Sequence, residues 1–247
     1  EEAFVERMNA RAKELGMNDT HFLNCTGLPA EGHVTSAYDI ALMSRELILH
    51  HPDIRRFTTI WMDSLRGGES LLVNTNKLVR FYPGATGLKT GSTSSAKYCI
   101  SATAEKDGME LIAVVLGGST SDKRFADAKA LLNYGFAAYT LLPVVPESPL
   151  PAVPVTLGTR RQVQAVLPQG SVLLLEKNRA NALTQSLTLS EAVEAPVEQG
   201  DTLGSLDLFT ADGTLLSSLP LLAGESIARL TWRQLFCRCA SFALCIR

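Results

Sequence analysis

Hydrophobic and polar positions follow a helical period at the start of the chain. Phe4, Met8 and Leu15 recur at helical spacing, and charged side chains fall mostly between them. Gly16 follows at the position where a left-handed helix terminator belongs. The pattern predicts an amphipathic helix over residues 2–15.

A second helical pattern begins at Ser36, after a loop. Residues 25–32 are rich in turn formers and predict that loop. The Ser36 side chain can cap free backbone N–H groups at the start of the helix. Asp39, three residues later, can complete a reciprocal capping pair and place negative charge at the positive end of the helix dipole. The predicted buried face consists of Ile40, Leu42, Met43, Leu47 and Ile48. Pro52 ends the helix, which is predicted to reach about His50.

The period changes to that of strands in the middle of the chain. Residues 97–104 and 109–116 flank a turn ending in glycine at 105–108, which predicts two antiparallel strands. Residues 87–93 are predicted to form the next strand of the same sheet. A third helix is predicted over residues 122–139. Its predicted inner face consists of Phe125, Ala128, Leu131, Leu132 and Phe136.

Five prolines between residues 141 and 154 mark a change of organisation. They predict a semi-rigid linker at 143–154 and therefore a domain boundary. Short valine- and leucine-rich runs separated by turn signals then predict a small all-β, sandwich-like domain over residues 155–223. Residues 224–247 are predicted to form an amphipathic helix.

The predicted final helix combines apolar bulk with positive charge. Its apolar side chains include Ile227, Leu230, Leu235 and Phe236, and its basic ones include Arg229, Arg233 and Arg238. A basic amphipathic helix of this kind can lie in a membrane interface, and Trp232 also suits an interface. The alternative is a helix that packs on its own domain.

Composition narrows the function classes only slightly. Hydrophobic residues make up 46% and charged residues 19% of the 247 residues, which is typical of a globular protein. The formal net charge of −2 leaves no basic excess to neutralise phosphates, and this argues against nucleic-acid binding.

Cysteine and histidine spacings do not match a metal site. The cysteines are Cys25, Cys99, Cys237, Cys239 and Cys245. One residue separates Cys237 from Cys239, which is too few for the usual zinc spacing. The histidines, His21, His33, His50 and His51, show neither His-x-x-x-His nor Glu-x-x-His spacing. Neither a metal nor an organic cofactor is implied.

The string Lys89-Thr90-Gly91 falls on the first predicted strand of the sheet. It resembles the third signature of the penicillin-recognising serine enzymes, a strand that borders the active site. A strand edge can pair with an extended peptide, and Lys89 would supply positive charge near the nucleophile and the substrate carboxylate. Thr90 can donate to that carboxylate, and Gly91 lets a ligand approach the backbone. Alone, the tripeptide also fits an ordinary exposed strand.

The surroundings of this string extend the resemblance. Asn74-Thr75-Asn76 precedes it, the predicted hairpin follows, and Gly117-Gly118 leads into the helix that carries Arg124. Over nearly the whole chain, this order is similar to the low-molecular-mass penicillin-binding D-alanyl-D-alanine carboxypeptidases. The resemblance implies an α+β fold. Residues 1–142 would be the C-terminal part of an incomplete β-lactamase/transpeptidase-like domain, followed by the small all-β domain and the amphipathic helix.

The resemblance also implies a site and partners. Lys89, Thr90 and Gly91 would be catalytic, and Lys89, Thr90, Ser92, Thr93 and Arg124 would bind substrate. Arg124 would help to hold the terminal carboxylate of a D-Ala-D-Ala peptide. The implied partners are peptidoglycan pentapeptides, β-lactam inhibitors and a membrane surface contacted by the final helix. The implied location is the outer face of the cytoplasmic membrane, after export of the parent protein.

The chain departs from the family pattern at the nucleophile. The family mechanism needs a Ser-x-x-Lys helix start and a Ser-x-Asn motif upstream of Lys-Thr-Gly. No Ser-x-Asn occurs in the 247 residues, and the one Ser-x-x-Lys string, Ser94-Ser95-Ala96-Lys97, follows Lys89 in a strand or turn. In a strand Ser94 and Lys97 would point to opposite faces, so we interpret the string as a chance match.

The expected function is removal of the terminal D-Ala from peptidoglycan pentapeptides by the complete protein. We expect the first third of the catalytic domain, including the serine and its lysine, to lie outside these 247 residues. The chain alone is therefore predicted not to turn over substrate. Two alternatives remain: a serine β-lactamase, and a non-catalytic cell-wall binding or scaffolding protein that has lost the serine.

Overall fold

The computed structural model describes residues 1–179 and 183–244, except for the side chains of residues 239 and 241–244. The last three positions of the predicted final helix, with Cys245, lie outside the described residues, as does the Cys239 side chain. The chain consists of two compact units, Glu1–Tyr139 and Thr140–Arg247. Each unit has helices and strands of its own.

The helices are α1 Glu2–Glu14, α2 Ala37–His50, α3 Arg55–Thr58, α4 Leu78–Phe81, α5 Ser121–Ala138 and α6 Trp232–Leu244. In the first unit the strands are β1 Met62–Leu65, β2 Ser70–Val73, β3 Ala85–Thr93, β4 Lys97–Lys106 and β5 Met109–Gly118. Strand β6, Tyr139–Pro143, begins at the division between the units. The second unit continues with β7 Ala152–Thr156, β8 Gln162–Val166, β9 Val172–Glu176, β10 Thr184–Leu189, β11 Val193–Glu194, β12 Thr202–Phe209 and β13 Leu215–Ala223. The mixed architecture confirms the α+β class.

The first two predicted helices are confirmed as α1 and α2. Ser36 caps α2 as predicted, because its hydroxyl accepts a hydrogen bond from the Asp39 backbone N–H at 3.2 Å. The expected reciprocal role of Asp39 is wrong. Its buried carboxylate instead accepts from the backbone N–H of Asp19 at 2.9 Å and from the Thr20 hydroxyl at 2.6 Å. Asp39 therefore ties the segment after α1 to the first turn of α2.

The predicted face of α2 is buried only in part. Ile48 is buried, but Met43 is 39% exposed, which contradicts the prediction for that residue. Ile40, Met43 and Leu47 border an open groove. Apolar spacing identified the correct face of the helix without showing whether anything covers it.

Strands β3, β4 and β5 form a three-stranded antiparallel sheet in that order, as predicted. Asp107 and Gly108 close the β4–β5 turn with positive φ angles. Helix α5 packs on one face of the sheet through Phe125, Ala128 and Leu132. Leu131, predicted on the inner face, is 49% exposed. The spacing of 125, 128 and 132 already follows the stripe that faces the sheet, and Leu131 is rotated away from it.

The second unit is built around a six-stranded sheet of order β10-β12-β13-β8-β7-β11. Its core includes Val163, Leu203 and Ile227. Ile227 is 1% exposed and exchanges backbone hydrogen bonds with Val197, so it belongs to the β core. The final helix consequently begins at Trp232 instead of residue 224. Residues 144–151, within the predicted linker, contain neither helix nor strand.

Candidate active site

Lys89, Thr90 and Gly91 lie on β3, as the sequence predicts. One edge of β3 pairs with β4, and within the described residues the other edge has no strand partner. The N–H and C=O groups of a free edge can pair with an extended chain. The motif therefore lies where a peptide could be added to the sheet.

Lys89 and Thr90 lie on opposite faces of the sheet. Thr90 is paired with Ile100, which is buried with the α5 side chains. Lys89 is paired with Ser101, whose hydroxyl lies 2.7 Å from the hydroxyl of Ser44 on α2. Because partners directly across an antiparallel pair share a face, Thr90 lies on the α5 face and Lys89 on the α2 face.

An open groove of about 800 Å³ lies between α2 and β3. The Lys89, Thr90 and Gly91 segment borders it. Most of its lining is apolar and includes Ile40, Met43, Leu47, Leu88, Ile100 and Leu116. The groove combines one cationic side chain with an extended apolar surface.

Lys89 is exposed, and its ammonium donates to the backbone carbonyl of Thr90. This contact keeps the positive charge beside the β3 backbone. A carboxylate or a polarised hydroxyl that entered the groove would therefore meet the charge next to the strand edge.

Thr90 is only 8% exposed, and its hydroxyl lies 2.6 Å from the hydroxyl of Thr75. Sequence reasoning noted Thr75 as part of the context of the motif but assigned it no role. The two residues are 15 positions apart, and no local periodicity joins them. Only the tertiary structure identifies this pair.

Arg124 lies on α5 and is 6% exposed. One terminal nitrogen of its guanidinium donates to the carbonyl oxygens of Gly91 at 3.1 Å and Cys99 at 3.2 Å. The guanidinium also lies 4.7 Å from the ring centre of Phe125. Burial lowers the pKa of Arg124, and the nearby Cys99 and Tyr98 oppose that shift. The side chain joins β3 to β4 immediately beyond Thr90, and its predicted contact with a substrate carboxylate stays a prediction.

Ser92 is exposed on β3, whereas the Thr93 hydroxyl accepts from the backbone N–H of Ala96 at 2.9 Å. Ser94 lies in the turn after β3, and Lys97 begins β4 with a positive φ. Neither residue is helical, so Ser94 and Lys97 do not form the Ser-x-x-Lys helix start that the family chemistry uses. Their positions agree with the interpretation of a chance match.

No group of three or more potential metal ligands occurs among the described residues. Two of the four histidines make side-chain contacts with nearby residues. His33 packs edge-on against Phe22, and His50 lies 3.1 Å from Glu46.

Two family models match the chain. A model described as D-alanyl-D-alanine carboxypeptidase, peptidase family S11, matches residues 1–120. A model of the C-terminal domain of penicillin-binding protein 5 matches residues 144–229.

Curated relatives match nearly all of the chain. D-alanyl-D-alanine carboxypeptidase DacF of Bacillus subtilis is 39% identical over 234 residues, which is 93% of this chain and 60% of that protein. DacC of Escherichia coli, a protein of the same description, is 30% identical over 92% of this chain and 57% of its own length. The chain therefore spans less than two thirds of the length of these relatives.

Solved structures have the same architecture. Penicillin-binding protein 5 of Haemophilus influenzae has a TM-score of 0.71 at 24% identity. The match covers 92% of this chain and 66% of that protein, and at this identity it supports the fold alone. A peptidoglycan synthesis regulatory factor (PBP3) of Streptococcus pneumoniae has a TM-score of 0.69 at 27% identity, over 91% of this chain and 69% of its own. Penicillin-binding protein D2 of Listeria monocytogenes, solved with cefotaxime bound, has a TM-score of 0.50 at 38% identity, over 54% of this chain and 55% of its own.

The two family models cover both units, and the relatives extend along 93% of the chain. The Lys-Thr-Gly strand lies at the edge of the sheet that the resemblance implies. Along nearly its whole length the chain is similar to the low-molecular-mass penicillin-binding D-alanyl-D-alanine carboxypeptidases.

Proposed function

We propose that the protein containing these residues is a serine carboxypeptidase that removes the terminal D-Ala from peptidoglycan pentapeptides. The observation that carries the proposal is the position of Lys89-Thr90-Gly91 on a free strand edge beside an open groove. An extended peptide can pair with that edge while its C-terminal carboxylate meets the Thr90 hydroxyl and the Lys89 ammonium, which is held at the Thr90 carbonyl. The two family-model matches and the curated relatives support the same function.

The proposed reaction has two steps. A serine hydroxyl attacks the carbonyl carbon of the penultimate D-Ala, its proton is taken up by a neighbouring base, and the peptide C–N bond breaks. The terminal D-Ala leaves as the amine after it receives a proton. Water then attacks the acyl-enzyme ester, which releases the shortened peptide and restores the serine.

In that scheme the residues described here bind and orient the substrate. Lys89 supplies a fixed positive charge beside the strand, and Thr90 donates to the terminal carboxylate. Gly91 carries no side chain, and a Cβ placed on it would meet no protein atom within 4 Å. The space beside Gly91 is therefore available to a ligand. Arg124 supports the strand through the Gly91 carbonyl.

The nucleophile in this proposal comes from residues outside these 247. Ser94 lies in a turn, and Ser44 and Ser101 are buried and hydrogen-bonded to each other. The apolar groove next to Lys89 provides a surface on which such a segment could pack. A segment seated there would place its side chains near the lysine ammonium.

Fluorescent penicillin labelling followed by intact-mass measurement tests the function. We expect a protein extended upstream of Glu1 to gain the mass of one acyl group, and the 247-residue chain to gain none. Labelling of the 247-residue chain at Ser94 would contradict the assignment of the nucleophile. Failure of both proteins to label would favour the alternative of a non-catalytic cell-wall binding protein.

The rate of deacylation separates the carboxypeptidase from a β-lactamase. A carboxypeptidase stays acylated by penicillin for a long time, whereas a β-lactamase releases the hydrolysed drug rapidly. The second unit favours the carboxypeptidase, because β-lactam hydrolysis needs no additional β domain. Single-turnover measurement of penicilloate release from the extended protein distinguishes the two.

We also propose that the parent protein acts outside the cytoplasm and attaches peripherally to the outer face of the cytoplasmic membrane through α6. Trp232 and Phe236 are 87% and 74% exposed and lie four residues apart, on one side of the helix. Among the described residues no helix is long and apolar enough to cross a membrane. Peripheral contact is therefore the mode proposed for α6.

A further inference from the structure

We infer that Thr75 is a positioning residue that orients the Thr90 hydroxyl toward the terminal carboxylate of the substrate. The inference rests on the proposed function, because it assigns a specific donor geometry to the same site. Its basis is the 2.6 Å contact between the two hydroxyl oxygens. This distance is that of a direct hydrogen bond.

The backbone on both sides of Thr75 is held in place. The Asn74 side-chain amide donates to the carbonyl oxygens of Thr58 at 3.3 Å and Ile60 at 2.8 Å, and its oxygen accepts from the Asn76 backbone N–H at 2.9 Å. The tripeptide is thereby fastened to the last residue of α3 and to the segment that follows it, and it is closed into a tight turn.

Asn76 fastens the other side of the tripeptide to β3. It is 2% exposed, and its amide donates to the Gly87 carbonyl at 2.8 Å. Its side-chain oxygen accepts from the backbone N–H of Leu78, at the start of α4. Thr75 itself is exposed. Two anchored asparagines thus hold an exposed threonine against the one buried hydroxyl of the motif.

Proton counting gives this contact a direction when substrate is bound. A threonine hydroxyl has one proton to donate and two lone pairs that accept. A carboxylate only accepts, so Thr90 must donate its proton to it. Thr75 must then donate to Thr90. The Thr75 proton occupies one lone pair of the Thr90 oxygen and leaves the Thr90 proton directed at the carboxylate.

The test compares Thr75→Val and Thr75→Ser with the unmodified protein, extended upstream of Glu1. The valine keeps the shape of threonine and removes the donor, whereas the serine keeps the donor. Two peptides are used, one ending in D-Ala-D-Ala and the other in the methyl ester of the same sequence. We expect Thr75→Val to lower kcat/KM for the free acid by about fivefold to tenfold, as for loss of one hydrogen bond. The ester, which lacks the carboxylate charge, should be affected by less than about twofold.

Thr75→Ser should stay within about twofold of the unmodified protein on both peptides, because it restores the donor. Thr188→Val, at an exposed threonine on β10, is the matched control for loss of a hydroxyl and should change neither value. In a Thr90→Val background, Thr75→Val should have no further effect on the free acid. This non-additivity separates positioning from general support of the fold.

An equal loss on both peptides would overturn the inference, because it would mean that Thr75 only supports the fold. An unchanged kcat/KM in Thr75→Val would overturn it as well. If the unmodified protein cleaves neither peptide, the proposed function fails first and the inference fails with it.

Discussion

At the scale of single residues, Gly91 is the position where protein stability and ligand binding can be separated. Its φ is not positive, and an added Cβ would meet no protein atom within 4 Å. We expect Gly91→Ala to leave the melting temperature of the extended protein unchanged or slightly higher, because glycine weakens a strand relative to alanine. The same methyl would displace a ligand at the strand edge and slow acylation by about 10-fold to 100-fold.

Thermal melting and the time course of penicillin labelling, measured on the same sample, check this prediction. A lower melting temperature with an unchanged labelling rate would show that Gly91 serves the fold instead of the ligand.

The contacts made by individual polar residues were less predictable from sequence than their local structure. Ser36 was predicted as a cap because capping depends on neighbours only three residues away. The partners of Asp39 and Thr90 lie 19 to 20 and 15 positions away, where no spacing rule applies. Sequence patterns therefore identified the motif, and the tertiary structure identified what holds it.

At the scale of elements, the junction between α1 and α2 depends on a buried carboxylate. Asp39 is 1% exposed and accepts two hydrogen bonds from the segment that connects these helices. We expect Asp39→Ala to lower the free energy of unfolding by about 2–4 kcal/mol, because two hydrogen bonds to a buried carboxylate are lost. Urea denaturation followed by circular dichroism measures the change.

Asp53→Ala provides the matched control for Asp39→Ala. Its side chain is 83% exposed and lies 3.4 Å from the surface Arg56. Exposed pairs of this kind contribute little to stability, so this variant should change it by less than about 0.5 kcal/mol. Equal effects of the two substitutions would show that the contacts of Asp39 do not stabilise the junction.

For helix α6 we predict that membrane binding depends on its exposed aromatic side chains. Replacement of the exposed Phe236 by Glu should weaken binding of the extended protein to vesicles with anionic lipids by about tenfold or more. The substitution removes an aromatic side chain that would be buried in the membrane interface, and it adds a negative charge. Leu215→Glu on β13, where the leucine is 53% exposed, should leave binding unchanged. Vesicle flotation measures both. Unchanged binding of the Phe236 variant would argue for the alternative, a helix that packs on its own domain.

Element boundaries followed from periodicity where each element ends at a local signal. Pro52 follows α2 and Gly108 closes the β4–β5 turn, and both were readable from sequence. The start of α6 was placed too early, because Ile227 fits a helical stripe but is buried in the β core. An apolar side chain indicates burial without identifying the element that buries it.

At the scale of the whole molecule, the family resemblance predicted the order of the elements along nearly the whole chain. It rested on the order of the motifs, in which Lys-Thr-Gly is followed by a hairpin and then by the helix with Arg124. The exposure of individual apolar residues did not follow from the same reasoning. Met43 and Leu131 were both predicted to be buried, and both are exposed, at 39% and 49%.

If the proposed upstream segment exists, Met43 and Leu131 should differ in whether they are buried in the extended protein. Met43 borders the groove beside Lys89, whereas Leu131 lies on α5 and does not line the groove. If a further segment packs into the groove, Met43 becomes buried in the extended protein and Leu131 stays exposed. Soluble proteins rarely leave large apolar patches uncovered, which favours such packing.

Met43→Gln should therefore have different effects in the two proteins. In the 247-residue chain we expect a change in the free energy of unfolding of less than about 0.5 kcal/mol, as for a surface site. In the extended protein we expect a loss of about 2 kcal/mol, because a polar amide replaces a buried thioether side chain. Leu131→Gln should be nearly neutral in both. Urea denaturation of the six proteins measures these differences. Equal effects of Met43→Gln in the two chain lengths would mean that the added segment does not cover the groove, and the proposed source of the nucleophile would have to be abandoned.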